Sequence, residues 1–386
     1  MSDNVSKMPR QGRPLAARIV LLVLVIVLVL GGCALYLFRD RLSLDAVRRW
    51  LHQLDSSAQQ SGSGFTFDAH SSNRYCAFQG GLAVASATGL SVYDASGEQT
   101  ALVQRSLSAP VIAAGTDTVL CYDAGGYTLE TVHRSRGQCL DITSAKPILD
   151  ADISAQDWVC YSTQETGYKS VLYVYNPNGA LTYRWLSSSQ YLPLCTLNSD
   201  GTCLAAVALG QSGGIYESRL LLFRTDSEEV YRSFSLGGEL IYDLRFFGDS
   251  LICVVGESSV MWLRMDGTLA GRYTYGGVYL KDFDFGGDGF LTLSLNMYRA
   301  GNRCTIVTAG SDGIELGSAD VAEELLDVSV CGKYVAVLTA GSLTVYDETM
   351  QPYAHWENSS GATDVVLRQD GSAILLSDGH GEICRP

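Results

Sequence analysis

The chain has 386 residues, 47% of them hydrophobic, with 40 glycines, 8 prolines and a net charge of −14. Residues 1–64 hold eight Lys/Arg and four Asp/Glu, which leaves 19 bases against 37 acids, or −18, for residues 65–386. A body that acidic repels nucleic-acid phosphates and argues against DNA or RNA as partner.

The eleven cysteines are scattered and form no CxxC or Cys/His cluster, which removes zinc and thioredoxin-like readings. Several sit inside apolar runs, as in Leu251-Ile252-Cys253-Val254-Val255. They read as free thiols acting as small core hydrophobes. Free thiols imply a reducing compartment or an organism that lives without oxygen.

Residues 1–18 form a basic tail. Ile19 to Phe38 is an uncharged apolar run of 20 residues, close to the ~20 needed to cross a bilayer as a helix. Its expected partner is therefore the lipid bilayer. Leu30-Gly31-Gly32-Cys33 also resembles a lipobox, but the run stays apolar through Leu35, Leu37 and Phe38. An uncleaved span fits better. Four Lys/Arg precede the span and four follow it closely, so the positive-inside count is a tie. A short tail ahead of a large body is the usual arrangement of a signal anchor. On that ground residues 65–386 are expected outside the cytoplasm.

Residues 39–64 join span to body. Leu44, Val47, Leu51 and Leu54 recur at helical spacing behind Ser43, a candidate N-cap. This helix lies on lipid headgroups or continues the span. Asp55 to Gly64 is a flexible linker by composition.

From Phe65 onward one grammar repeats. Leu172-Tyr173-Val174-Tyr175-Asn176-Pro177-Asn178-Gly179 is a strand ending in a turn, and Leu90 to Gly97 and Leu343 to Asp347 restate it. Hairpin turns recur at Asn198-Ser199-Asp200-Gly201, Gly287-Asp288-Gly289, Asp312-Gly313 and Gln369-Asp370-Gly371, each beside an apolar strand. A short-strand unit repeating every few tens of residues marks a radial β architecture. Units fall near 74–108, 109–146, 147–189, 190–237, 238–276, 277–320 and 321–358. Residues 360–386 begin one more, which Phe65-Thr66-Phe67 can complete. The expectation is an all-β propeller of about eight four-stranded blades, with seven as the alternative, behind one transmembrane helix.

Asn198-Ser199-Asp200-Gly201-Thr202-Cys203-Leu204-Ala205 resembles the Ser-Pro-Asp-Gly-x-x-Leu-Ala phrase of WD40-like repeats, with Ser199 in place of the usual proline. The whole layout resembles a family of uncharacterised, single-span, membrane-anchored WD40-like or quinoprotein-like propellers of Gram-positive anaerobes. That resemblance implies a fold and an envelope location. It carries no catalytic residue over.

The search for chemistry finds no GxSxG, Walker or HExxH motif, and the five tryptophans share no docking motif. No catalytic, cofactor-binding or metal residue is assigned, and no cofactor. Lys281 to Gly289 clusters Asp282, Asp284 and Asp288, but the spacing breaks the calcium-loop rule and reads as a strand and its turn. Asp150, Asp152 and Asp243 occupy equivalent places in other units. First strands line a propeller's channel, so these acids form either a solvated wall or a negative mouth that takes cations or a basic partner. Three functions remain: a non-catalytic protein- or polymer-binding module at the cell envelope, an envelope glycan hydrolase or lyase using Asp152 and Asp284 as acid and base, or a membrane-tethered scaffold facing the cytoplasm.

Overall fold

In a four-stranded antiparallel meander the second and third strands are paired on both edges, and each sheet buries its faces only if sheets stack. The sequence supplies such a second strand in each unit. Gly81–Ser86, Thr118–Asp123, Phe290–Asn296 and Tyr334–Thr339 are buried at every position. The outermost strands alternate instead, as in Gln99–Gln104 and Glu315–Val321, where only one face touches protein.

The computed structural model describes residues 64–386 apart from 300–302, 358 and 360. The expected tail, span, juxtamembrane helix and most of the linker (1–63) lie outside the described residues. Among the described residues no helix is long and apolar enough to cross a membrane.

The described chain forms eight four-stranded antiparallel sheets. The innermost strands of blades 1 to 8 are Arg74–Phe78, Pro110–Ala114, Asp150–Ile153, Tyr191–Leu197, Ile241–Phe247, Tyr279–Asp284, Leu325–Cys331 and Asp364–Leu367. Blade 8 takes its fourth strand from the start of the body: Phe65–Thr66 pairs with His380–Cys384 through Phe65↔Gly381 and Thr66↔His380. The count is eight, not seven, and the closing strand is the expected one.

The apolar core is divided among eight interfaces, one between each pair of neighbouring blades. Leu172 and Val174 of blade 3 meet Leu204 and Phe223 of blade 4. Phe65, Ile374 and Leu376 of blade 8 meet Leu82, Val84 and Tyr93 of blade 1, which closes the ring. The cysteines serve as filling. All ten described ones are free, and Cys160 Sγ and Cys195 Sγ lie 3.7 Å apart across blades 3 and 4.

Each innermost strand runs from an upper face, where blades connect, to a lower face of tight turns. The Asn198–Gly201 turn shows the turn chemistry. Asn198 Oδ1 accepts from Cys203 N at 2.8 Å, and Asp200 Oδ1 accepts from Thr202 N at 3.0 Å. Gly201 has φ +70°, and a Cβ there would meet the Trp158 ring at 2.2 Å. Only glycine satisfies both conditions.

Phe65 is fully buried, edge-on to Tyr93 with centroids 6.2 Å apart, yet its strand is two residues long. Ring closure therefore depends on that side chain more than on backbone pairing. Phe65→Ala should lower stability by about 3–5 kcal/mol, read as a shift of the denaturation midpoint. A shift no larger than that of an exposed outer-strand substitution such as Leu102→Ala would show that closure does not rest on Phe65.

Candidate functional site: the channel and its upper rim

The innermost edge of each blade exposes backbone N–H groups that no strand of the same blade can satisfy. At blades 4, 7 and 8, side chains of the preceding blade do it. Asp150 Oδ2 of blade 3 accepts from Cys195 N of blade 4 at 2.8 Å. Asp284 Oδ2 of blade 6 accepts from Val330 N of blade 7 at 2.8 Å. In blade 7, Asp327 Oδ2 and Ser329 Oγ accept from Val365 N and Leu367 N of blade 8 at 2.8 and 3.0 Å. These acids are joints between blades.

Blade 4 contributes no acid to its innermost strand, Tyr191–Leu197. Asp152 of blade 3 spans the gap. Its Oδ2 accepts from Thr196 Oγ1 of blade 4 at 2.6 Å, and its Oδ1 lies 2.9 Å from Arg245 Nη1 of blade 5. The Arg245 contact falls outside hydrogen-bond angles, so it is a charge contact. Asp152 is almost fully buried, whereas Arg245 keeps about a third of its side chain open to channel space (38%). Asp152 and Asp284 are thus both engaged by neighbouring blades.

Above these joints a second pattern repeats. In blades 5, 6 and 7 the register slips at Ile241/Asp243, Leu280/Asp282 and Leu325/Asp327, leaving Tyr242, Lys281 and Leu326 as the extra residue of a β-bulge. Bulges re-aim side chains. In each case the following Asp accepts its own neighbour's N–H: Leu244 at 2.7 Å, Phe283 at 2.8 Å and Val328 at 2.9 Å. Asp243, Arg245, Asp284, Asp327, Asp364 and Arg74 line a channel space of about 700 Å³.

Burial in this narrow space pushes the carboxyls up. Asp327 rises to about 7, opposed by the Val365 N–H, and Asp150 to about 7, where Asp243 adds repulsion. Asp243 rises to about 6 against the pull of Arg245, and Asp284 to about 6 against two backbone N–H groups. Burial raises Asp282 as well.

The two faces of the ring differ. Fifteen large apolar side chains are exposed among the described residues. Nine lie on the upper face: Leu240, Tyr191, Tyr242, Tyr279 and Leu326 where innermost strands start, and Tyr127, Tyr168, Met297 and Tyr298 in the loops between second and third strands. The other six sit on or beside outermost strands. Lower-face turns close on themselves, with Asp94, Asn176, Asp266, Asp312 and Asp347 accepting N–H groups of their own turns. Sequence reading passed over the rim tyrosines, whose signal is a tyrosine within two residues of an innermost-strand start.

At the lower face of blades 2 and 3, Asp117, His133 and Asp157 bring one ligand atom each within 4.8 Å of one another. The set does not suit a cation. His133 Nδ1 accepts from Ser135 N at 3.1 Å, which puts the ring proton on Nε2 and leaves no free lone pair. Asp117 is paired with Arg134 Nε at 3.1 Å, and Asp157 Oδ1 accepts from Asp117 N.

Residues 57–376 match DUF5711, a family of unknown function. The chain belongs to this family. No curated protein matches the chain. Among solved structures, this DUF5711 propeller is similar to Sqt1 of Saccharomyces cerevisiae (TM-score 0.58, 7% identity, covering 84% of this chain and 99% of that one). It is also similar to the C-terminal WD40 domain of Sif2 (TM-score 0.56, 11% identity, 83% and 97%). At such identities the likeness extends to the fold alone.

Two predictions follow from the DUF5711 channel. Asp152→Ala strands Arg245 and frees Thr196, and should cost about 2–3 kcal/mol, less than a sealed pair because Arg245 meets channel water. Combined with Arg245→Met, the loss should be smaller than the sum of the two single losses; strict additivity in denaturant melts would dissolve the proposed coupling. The second concerns pH. The unfolded carboxyls titrate near 4 and the folded ones near 6–7, so the folded state binds more protons in that window. Stability should therefore fall as pH rises from 4 to 7, seen as a midpoint several degrees lower at pH 8 than at pH 5. Asp243→Asn should flatten that slope and Asp226→Asn, on the surface, should not. A slope of opposite sign would mean that the channel acids are charge-paired.

Proposed function

We propose that the chain is a membrane-anchored binding module: Ile19 to Phe38 spans the bilayer and a short linker holds the propeller at the cell envelope, outside the cytoplasm. It binds a protein partner, without catalysis, on the upper face. WD40-like folds commonly serve as protein-interaction scaffolds, and the observation that carries the reading here is that nine of the fifteen exposed large apolar side chains gather on the upper face. The commitment of Asp152 and Asp284 to blade joints supports a non-catalytic role over a glycan hydrolase or lyase.

The orientation is tested with intact protoplasts and an external protease. Loss of the C-terminal residues from intact cells is expected; protection until lysis would move the module to the cytoplasmic side as a tethered scaffold. The binding face is tested with a photo-crosslinking amino acid placed at Tyr298 or at Asp266. Protein adducts should form from Tyr298 and not from Asp266. Equal adducts from both positions, or none from Tyr298, would defeat the upper-face reading.

A further inference from the structure

The rim and the channel beneath it have complementary chemistries. At the mouth, bulges turn Tyr242 and Leu326 outward, and Tyr191, Tyr279 and Tyr298 stand exposed beside them. Two of these rings already hold cations of this chain: Lys169 Nζ lies 5.1 Å from the Tyr191 centroid and Arg299 Cζ 5.2 Å from that of Tyr279. Ring faces turned to solvent in this way attract ammonium and guanidinium groups. Directly below, Asp243 and Asp282 each use one oxygen on the next residue's N–H. Their other oxygens accept no hydrogen bond from the described residues. Arg245 beside Asp243 and Lys281 beside Asp282 offset part of the carboxylates' charge, on a body that still carries −18 over residues 65–386.

Resting on the reading of this rim as the binding face, we propose that its occupant is an extended basic polypeptide segment. Its apolar groups lie across the tyrosines over blades 4 to 7, and its lysine or arginine side chains point into the channel toward Asp243 and Asp282. The competing occupants fit less well. An anionic envelope polymer would approach against the charge of the body. A neutral glycan could stack on tyrosine, but it would leave the channel carboxylates without a counter-charge. A basic segment satisfies both layers at once. The aromatic layer supplies contact area and the carboxylates fix polarity and register.

The test uses the full chain in lipid nanodiscs and fluorescence anisotropy. The probes are a labelled short peptide of alternating lysine and valine, the same peptide with glutamate for lysine, and a labelled neutral oligosaccharide. Only the lysine peptide should bind, and its Kd should rise with salt. Tyr242→Ser combined with Tyr279→Ser should weaken it about tenfold or more, and Asp243→Asn, which keeps the acceptor for Leu244 N–H, should weaken it as well. Tyr231→Ser, on an outermost strand, should change nothing; the tyrosine variants should melt as the parent does, and Asp243→Asn should remain folded at the assay temperature. Equal binding of the glutamate peptide, preferred binding of the oligosaccharide, or an unchanged Kd in the folded double-tyrosine variant would overturn the proposal. If the lysine peptide fails while Tyr298-sited protein adducts persist, the basic-segment inference falls and the protein-binding reading survives. If both fail, the binding face itself is wrong.

Discussion

Eight unpaired strand edges must face one another around a hole, and that constraint organises this molecule. A blade satisfies its own backbone everywhere except at its innermost strand, and water in a narrow channel is a poor substitute for a fixed acceptor. At three of these edges the chain answers with carboxylates. Asp150, Asp284 and Asp327 each reach the next blade's backbone N–H. An acceptor-only side chain suits the N–H groups of that edge, while donors such as Ser162 Oγ and Lys281 Nζ meet carbonyls, Leu192 O and Leu325 O. The consequence is a concentration of acids in a space of low polarity, which lifts their pKa values and leaves the channel negative where their oxygens are not fully used.

The fold was largely legible because its grammar is local. Asp-Gly and Asn-Gly turns, two-residue spacing and apolar second strands are set by neighbours a few residues away, so blade limits near 74, 109, 147, 190, 238, 277 and 321 lie close to the observed innermost strands. The closing strand was legible for a different reason. A last unit with three strands and an orphan strand at Phe65 leave one economical solution. The joints were not legible as joints. Asp284 and Val330 are 46 residues apart, and what brings them together is the angular spacing of the ring. The acids were visible, but their partners were backbone groups, which sequence does not distinguish. A trace was present all the same. Tyr242-Asp243-Leu244, Lys281-Asp282-Phe283, Leu326-Asp327-Val328 and Thr363-Asp364-Val365 repeat one phrase, Asp before an apolar residue at a strand start. In the first three, the Asp follows a bulge and accepts the apolar residue's N–H.

Self-bonded turns and most of the exposed large apolar side chains lie on different faces of the ring. Lower turns such as Asp94–Glu98 spend their hydrogen-bonding capacity on themselves. Changing an outward residue there alters little that a partner could read. Upper connections are looser, and bulges free one residue per blade from ladder geometry. Tyr242, Lys281 and Leu326 are equivalent by register yet aromatic, cationic and aliphatic. A position whose backbone role is constant while its side chain varies from blade to blade is suited to composing a surface.

Asp152 shows how closely the two roles are coupled. Blade 4 has Pro193 and no acid in its innermost strand, so it offers blade 5 no carboxylate joint of the kind blade 3 offers it. One carboxylate from blade 3 instead holds Thr196 and draws in Arg245, joining three blades. Arg245 and Phe246 line both the main channel space and a smaller one of about 260 Å³ beside Asp152 and Asp249. The cation that repairs the missing joint is thereby also a positive group set among the channel acids, beside Asp243 and Asp284. An incoming positive charge would be repelled at that depth and accommodated above it, near Asp243 and Asp282.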